Sequence, residues 1–306
     1  MERIFFTPAV AADAAAVTAV VAALESSLYG PSVAFSQADL QDEWSDLDLE
    51  RDTRVVRDGN RIVGYGAVRE QGERWRVEGY VHPDACGRGI GRLIATGLEQ
   101  DAARGGARRT HNGVFEADSA ACRLLESLGY TAVRVFREMR IELETPPVAP
   151  EWPDGLLVVA FDPEHDAVEF HAAHQEAFAD VWDDTPRDFE SWSKVNLGSE
   201  RFDPTLWCVV RANDEIAAGT ICTGDTYGGG FVSALFTRRP WRKQGVGAAL
   251  LRDSFRRFWE RGEHSVGLSV DAASATGAFR LYESAGMAPV LGWVMYEKEL
   301  SAGPAD

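Results

Sequence analysis

Residues 242–247 read Arg-Lys-Gln-Gly-Val-Gly, and residues 86–91 read Cys-Gly-Arg-Gly-Ile-Gly. The two stretches are versions of one pattern, a glycine-rich turn between a strand-like segment and a helix-like one. Two further matches keep the same order at nearly the same offset. RLLESLGY at 123–130 answers RLYESAGM at 280–287, and MRIEL at 139–143 answers YEKEL at 296–300. Ordered matches at constant spacing mark an internal duplication. The chain of 306 residues has the length for two domains, at roughly 100–200 residues each. Between the copies lies TPPVAPEWPDG at 145–155, whose prolines break helix and strand and favour an extended spacer. The domains are therefore drawn at 1–145 and 153–306.

Each copy carries the same order of elements. In the first, Asp13 is placed to cap a helix with Val17, Val20, Val21 and Leu24 at helical spacing. A hairpin follows over 55–68 around Asp58-Gly59-Asn60, then a strand over 76–81. The glycine turn opens a helix with Ile94, Leu98 and Ala102 on one face. A strand, a helix ending at Gly129 and a terminal strand over 133–143 complete it. The second copy has its hairpin at 207–222, its central strand at 229–237, a helix with Leu251, Phe255 and Phe258 on one face, and a terminal strand at 292–300. Mixed helices and mostly antiparallel strands read as α+β, twice over.

Composition narrows the function. The net charge of −17 repels nucleic acid and anionic membranes and suits a cationic small molecule such as an amine. No apolar run reaches the ~18 residues of a membrane span, and the N-terminus lacks a basic region before an apolar block. A cytoplasmic protein is expected, monomeric or homodimeric, with no nucleic-acid or membrane partner. The four cysteines form no C-x-x-C pair and share no zinc-like spacing with histidine, so no metal is expected.

The turn itself points to an anion. Gly245 and Gly247 lack Cβ atoms, so a ligand can approach the backbone. The helix that follows leaves its first N–H groups unpaired, and its dipole adds partial positive charge there. Arg242 and Lys243 add full charges. The third glycine of a dinucleotide fingerprint is absent, since position 250 is Leu, and neither turn has the G-K-[ST] of a P-loop.

The order hairpin, strand, R/Q-x-x-G-x-G turn, helix, strand, then A-x-x-L-Y-x-x-x-G resembles the GCN5-related N-acetyltransferase (GNAT) family. The carriers are TRRPWRKQGVGAALL at 237–251 and VDAASATGAFRLYESAGM at 270–287, with weaker versions at 81–94 and 115–130. The tandem layout is similar to the mycothiol-synthase-like branch. The resemblance implies acetyl-CoA as cosubstrate and two tandem GNAT-like domains. It implies that the backbone of Arg242, Lys243, Gln244, Gly245, Val246, Gly247 and Ala248 holds the diphosphate. Leu235, Phe236 and Thr237 then hold the pantetheine and acetyl carbonyl, with Ser274 standing where the family often has Asn. Tyr282 becomes the general acid. In the first copy the corresponding coenzyme residues are Val81, Gly87, Arg88, Gly89, Ile90 and Gly91.

The copies differ where chemistry is at stake. Cys86 replaces Arg242, and Leu125 replaces Tyr282. Leucine donates no proton, so catalysis is assigned to the second copy. Cys86 lies near a helix N-terminus, which favours a lowered thiol pKa, but no neighbouring His supports a nucleophile. The strand position where the family often carries Glu is Phe231, and Trp75 in the first copy. A base must come from elsewhere: Asp225, Asp271, a carboxylate in the loop Asp180–Asp184, or water. The acceptor pocket is placed in 178–192, rich in Trp, Phe and Asp. The expected reaction is acetyl transfer to the amine of a small molecule. The alternative is a non-catalytic acyl-CoA-binding or interaction module.

Overall fold

The computed structural model describes residues 4–30, 35–182, 186–274 and 277–300. Two compact units are present: Met1–Arg137 with Val290–Asp306, and Glu138–Pro289. Unit 1 runs β1 (Ile4–Thr7), α1 (Ala14–Tyr29), α2 (Gln37–Trp44), α3 (Leu49–Asp52), β2 (Thr53–Asp58), β3 (Arg61–Arg69), β4 (Arg74–Val81), α4 (Ile90–Arg104), β5 (Arg109–Phe115), α5 (Ser119–Ser127) and β6 (Thr131–Glu142). Unit 2 runs β7 (Leu156–Ala160), α6 (Ala167–Phe178), α7 (Phe189–Asn196), β8 (Cys208–Ala212), β9 (Glu215–Thr226), β10 (Gly229–Thr237), α8 (Val246–Glu260), β11 (Ser265–Asp271) and α9 (Ala278–Ser284), followed by β12 (Ala288–Glu299). Apart from the short α3 of unit 1, helix and strand follow the same order in both units, the α+β plan expected from the duplication.

In unit 1 the strand order is β1-β2-β3-β4-β5-β12, antiparallel except for the parallel pair β4–β5. Unit 2 has the order β7-β8-β9-β10-β11, antiparallel except for the parallel pair β10–β11. Helices cover both faces of each sheet. Val17, Val20, Val21, Leu40 and Trp44 pack on Val55, Tyr65 and Ala67, while Ile90, Ile94 and Leu98 of α4 pack on Val56, Val63 and Val77. This is why β3 is buried along nearly its whole length. In unit 2, Phe170 and Trp192 meet Phe236 on one face, and Val246 and Leu250 meet Cys208, Val210 and Ala218 on the other.

Helix Ala11–Tyr29 has the length and composition to cross a membrane; here Val17, Val20, Val21 and Leu24 are buried in the unit 1 core. The Asp13 side chain makes no cap bond to α1. Its carboxylate instead takes two 2.7 Å bonds from Arg57 and one from the Val10 amide.

The terminal strands do not follow the sequence repeat. β12 pairs with β5 from Trp293↔Phe115 to Glu299↔Arg109, inside unit 1. Its side chains fasten it there: Lys298 to Glu99 at 2.7 Å, Glu297 to His111 at 2.7 Å, and the Tyr29 hydroxyl to the Gly292 carbonyl at 3.0 Å. The second half of β6 belongs to unit 2. Met139, Ile141 and Leu143 pack in its core, and Arg140 bonds Ser265 Oγ and the Tyr227 carbonyl. The compact units therefore differ from the segments 1–145 and 153–306 at both terminal strands.

Ending the chain at Pro289 is expected to strip β5 of its partner. Hydrogen exchange should show lost protection over 109–115, with β8–β10 protected as before.

Candidate active site

The parallel pair of unit 2 does not run the length of its strands. β10 and β11 are in register from Gly230↔Val266 to Val232↔Leu268, and there the ladder ends. Both strands continue, β10 to Thr237 and β11 to Asp271. On its other side β10 shifts register against β9 at Gly229/Phe231 and again at Val232/Ala234. Such shifts are bulges, which bend a strand and re-aim its backbone groups. Past Val232 the β10 and β11 edges face each other with unpaired peptide groups, and extended backbone-like ligands pair with such edges. Leu235, Phe236 and Thr237 stand on that length of β10. The mixed exposure of β10, with Phe236 buried and Leu235 and Thr237 half-buried, leaves part of the strand open.

The glycine turn closes one end of this wedge. Gly245 sits at φ 88 as the N-cap of α8, and the first intrahelical bond is Ala249 N–H to the Gly245 carbonyl. The amides of Val246, Gly247 and Ala248 precede it, which leaves them for a ligand. A Cβ on Gly247 would lie 3.3 Å from Leu281 and 3.8 Å from Leu235, in the space a chain must pass. Lys243 holds φ 61, a left-handed conformation costing a non-glycine residue roughly 1–2 kcal/mol. Gly87 takes the corresponding place in unit 1, at φ 76. Lys243 is exposed and has no ion pair with a described residue.

Arg242 differs from the sequence expectation in what its side chain does. Its guanidinium donates to the Thr237 carbonyl at 3.0 Å and the Ala177 carbonyl at 2.9 Å, and approaches Asp180 at 3.4 Å. It ties the end of β10 to the end of α6. Gln244 donates to the Pro240 carbonyl, so it braces the turn from within. Ser274 donates its amide to the Asp271 carbonyl in the turn after β11.

Tyr282 lies on α9, 8% exposed, and belongs to the same unit 2 core cluster as Phe236. Its hydroxyl makes no hydrogen bond to a described residue. Burial pushes its pKa up to about 12, so the phenol keeps its proton at neutral pH. The unit 1 counterpart, Leu125, is buried at the matching place on α5.

The carboxylates proposed as bases fare differently. Asp225 sits at the β9–β10 turn, at φ 46. Along β10 that is roughly 20 Å from Leu235 at the usual strand rise. One Asp271 oxygen accepts the Ala273 amide in its own turn. Asp180 is bound by Arg239 and Arg242, and the Arg239 hydrogen bond first among causes lowers its pKa. Asp183 and Asp184 lie outside the described residues. Sequence reading passed over His174. It lies on α6, with ring centroids 4.6 Å from Phe178 and 5.6 Å from Phe236. Its Nδ1 is buried without a hydrogen-bond partner. Burial, then the His171 charge, lowers its pKa to about 4, so it is neutral. A lone histidine on an apolar helix face carries no motif, so only packing exposes it.

Unit 1 repeats the wedge with other side chains. β4–β5 pairing ends at Glu78↔Gly113. Val81, Gly91 and Cys86 border the cleft beyond it, while Gly89 at φ 82 starts α4 at Ile90. β4 keeps one register with β3 throughout, without the shifts of β10. Arg88 is held by Asp58 at 2.7 Å. The Cys86 pKa is raised, by burial first and then by Asp118, the opposite of the helix-terminus expectation. No cluster of metal-binding side chains occurs among the described residues.

The model of the acetyltransferase (GNAT) family matches residues 20–130 and 167–287. The chain belongs to the GNAT acetyltransferase family. A mycothiol acetyltransferase of Thermobispora bispora is 34% identical over 263 residues, covering 80% of this chain and 82% of that protein. The crystal structure of a GCN5-related N-acetyltransferase from Sphaerobacter thermophilus is 32% identical, with TM-score 0.85 over 98% of this chain and 96% of that one. A tandem GNAT protein from the clavulanic acid biosynthesis pathway shares the fold at TM-score 0.74 and 18% identity, over 99% of this chain and all of that one. This GNAT protein is thus an acetyl-CoA-dependent N-acetyltransferase with two GNAT domains, of the mycothiol-synthase-like kind.

Two outcomes test the site. Gly245→Val places a β-branched residue in the left-handed region and is expected to cost about 1–2 kcal/mol, read by urea unfolding, and to weaken coenzyme A binding by calorimetry. His174 is neutral when folded down to about pH 4 but titrates near pH 6.5 when unfolded. Between those values the unfolded chain binds the extra proton, so stability falls as pH falls, by up to roughly 3 kcal/mol. In His174→Phe that part of the slope should vanish from melts taken between pH 6.5 and 4.

Proposed function

We propose that unit 2 is the catalytic unit and that it acetylates the primary amine of a small molecule by direct attack. The observation that carries this is Tyr282, a buried, protonated phenol in unit 2 where unit 1 has Leu125. Acetyl-CoA, when bound, supplies the thioester. The amides of Val246, Gly247 and Ala248, with the Lys243 charge and the braced backbone of Arg242, Gln244 and Gly245, fit its diphosphate. The open edge of β10 at Leu235–Thr237 fits its pantetheine arm and offers backbone donors to the acyl oxygen; one such donor is typically worth about 10²–10³ in rate. Ser274 borders the far side. In unit 1 the set Val81, Gly87, Arg88, Gly89, Ile90 and Gly91 fits coenzyme A without an acid to complete turnover.

Two proton movements remain. The departing thiolate takes a proton from the Tyr282 hydroxyl. The attacking amine, a lysine-like ammonium of pKa about 10.4 in water, must lose one, which costs roughly 4.6 kcal/mol at neutral pH. Water is proposed to take it, since burial lowers the His174 pKa to about 4 and the strand position of Phe231 offers no base. The relatives named mycothiol acetyltransferase favour an acceptor of the mycothiol type. The loop 178–192 supplies the acceptor pocket, with Phe189 and Trp192 stacked beside His171.

Thiol release measured with a panel of amines tests the reading against a non-catalytic coenzyme-binding module, which would release none. Tyr282→Phe is expected to lower turnover by roughly 10²–10⁴ with coenzyme binding retained. An unchanged rate would sink the acid assignment.

A further inference from the structure

The closed end of the unit 2 wedge has little of its own to hold it. The parallel ladder there consists of three residue pairs, Gly230↔Val266, Phe231↔Gly267 and Val232↔Leu268. Side-chain pairs across neighbouring strands are what stabilise a sheet, and a glycine stands in two of the three. Parallel pairing is also the weaker kind per residue. Gly229, just before the ladder, has no room for a side chain, since a Cβ there would strike the Ser265 carbonyl. In unit 1 the β4–β5 ladder runs longer, through five pairs from Arg74↔Arg109 to Glu78↔Gly113.

A third strand supplies the tie. Arg140 lies on the part of β6 inside unit 2, where the Leu143 amide donates to the His264 carbonyl at 2.7 Å. Met139 and Ile141 pack in the unit 2 core, so Arg140 faces the other side of the sheet. Its Nη2 donates to the Tyr227 carbonyl at 2.7 Å, and its Nη1 to Ser265 Oγ at 3.1 Å. Tyr227 is in the turn before β10, and Ser265 is the first residue of β11. One guanidinium thus joins the starts of both strands. Buried Glu138 accepts from Nη2 at 2.9 Å, and Glu142 accepts from the Ser265 hydroxyl at 2.6 Å. Gly267 leaves the space for this crossing. A Cβ there would stand 2.9 Å from Arg140 Nη2 and 3.2 Å from the Phe231 ring. The repeat places Glu297 at the position of Arg140, and Glu297 bonds His111 and Arg109, both on β5.

We propose that Arg140 is a positioning residue for acetyl transfer: its guanidinium fixes the closed end of the β10–β11 wedge and so sets how far the strands stand apart at Leu235–Thr237. It touches no substrate and acts through the backbone of both strands. A donor to the acyl oxygen is useful only in place, and a misplacement of about 1 Å costs up to roughly 10²-fold in rate. The diphosphate turn lies past the other end of β10, where Arg242 ties it down separately. Loss of the Arg140 tie therefore lowers turnover more than coenzyme binding. The inference rests on unit 2 being the catalytic unit.

The test compares Arg140→Lys and Gly267→Ala in the full chain. Lysine keeps a charge beside Glu138 but has no fork to span two strands, and a Cβ at 267 displaces the guanidinium. In both variants the amides of 230–232 and 266–268 are expected to exchange about tenfold faster, with those of 208–212 at the parent rate; a general loss of stability would speed both sets. The kcat for thiol release from acetyl-CoA, with the amine that the parent turns over fastest, should fall roughly 10–10²-fold. The Kd of coenzyme A by calorimetry should stay within about threefold of the parent value. Gly267→Ala should add little to Arg140→Lys, because the two remove one tie and coupled residues are not additive. Parent-like exchange at 230–232, or full additivity, overturns the inference. If Tyr282→Phe slows turnover and Arg140→Lys does not, the positioning role alone fails. If neither changes turnover, the catalytic reading of unit 2 fails and the positioning role with it. Should Arg140→Lys not fold, Gly267→Ala decides by the same exchange and kcat readouts.

Discussion

The site depends on a ladder that stops. β10 and β11 share only the stretch ending at Val232 and Leu268, and then separate. Peptide groups that would have bonded each other are left facing a gap. Buried backbone donors and acceptors demand partners, so the gap is a standing invitation to an amide-bearing chain. The register shifts of β10 are what let it turn away from β11 while keeping β9. Everything else is arranged about that opening. α8 begins at Val246, after the turn that leaves β10, and its first amides have no partner within the helix. Arg242 fastens the turn to the end of β10 through the Thr237 carbonyl and to α6 through the Ala177 carbonyl.

The duplicate shows what the opening alone is worth. Unit 1 has the parted parallel pair, the left-handed glycines and the helix start. It lacks the shifts in β4, the arginine of the turn and the tyrosine of the last helix. Backbone geometry has been kept while side-chain chemistry has moved apart, the ordinary course where one scaffold hosts distinct sites. The result is a phenol without a strand carboxylate in one unit and a strand carboxylate without a phenol in the other.

How much of this is legible in the residues follows from the range of each interaction. The hairpins at 53–69 and 208–226, the strand at 229–237 and the helices after the two turns are local, written in alternation and helical spacing. The turn and Tyr282 are legible as motifs. The partner of β12 is not. MRIEL and YEKEL are too alike for pattern to say which sheet each joins, and pairing is decided by side chains such as Glu99 and His111 far away in sequence. Asp13 reads as a cap but answers Arg57 across the fold. Arg242 reads as a free charge, and only the nearness of the Ala177 carbonyl shows that its guanidinium is engaged. His174 has no sequence signal, since its neutrality comes from the rings of Phe178 and Phe236.

The placement of β12 also sets a timetable. During synthesis the ribosome releases residues 1–137 first, yet the strand that covers β5 is among the last made. Unit 1 waits with an open edge while unit 2 is being built, and non-local strand pairing is slow to form. Unit 2 needs only β6, already synthesised, to close its own sheet. The domain begun first is therefore finished last, and a gene for either half by itself would encode a sheet missing its final strand.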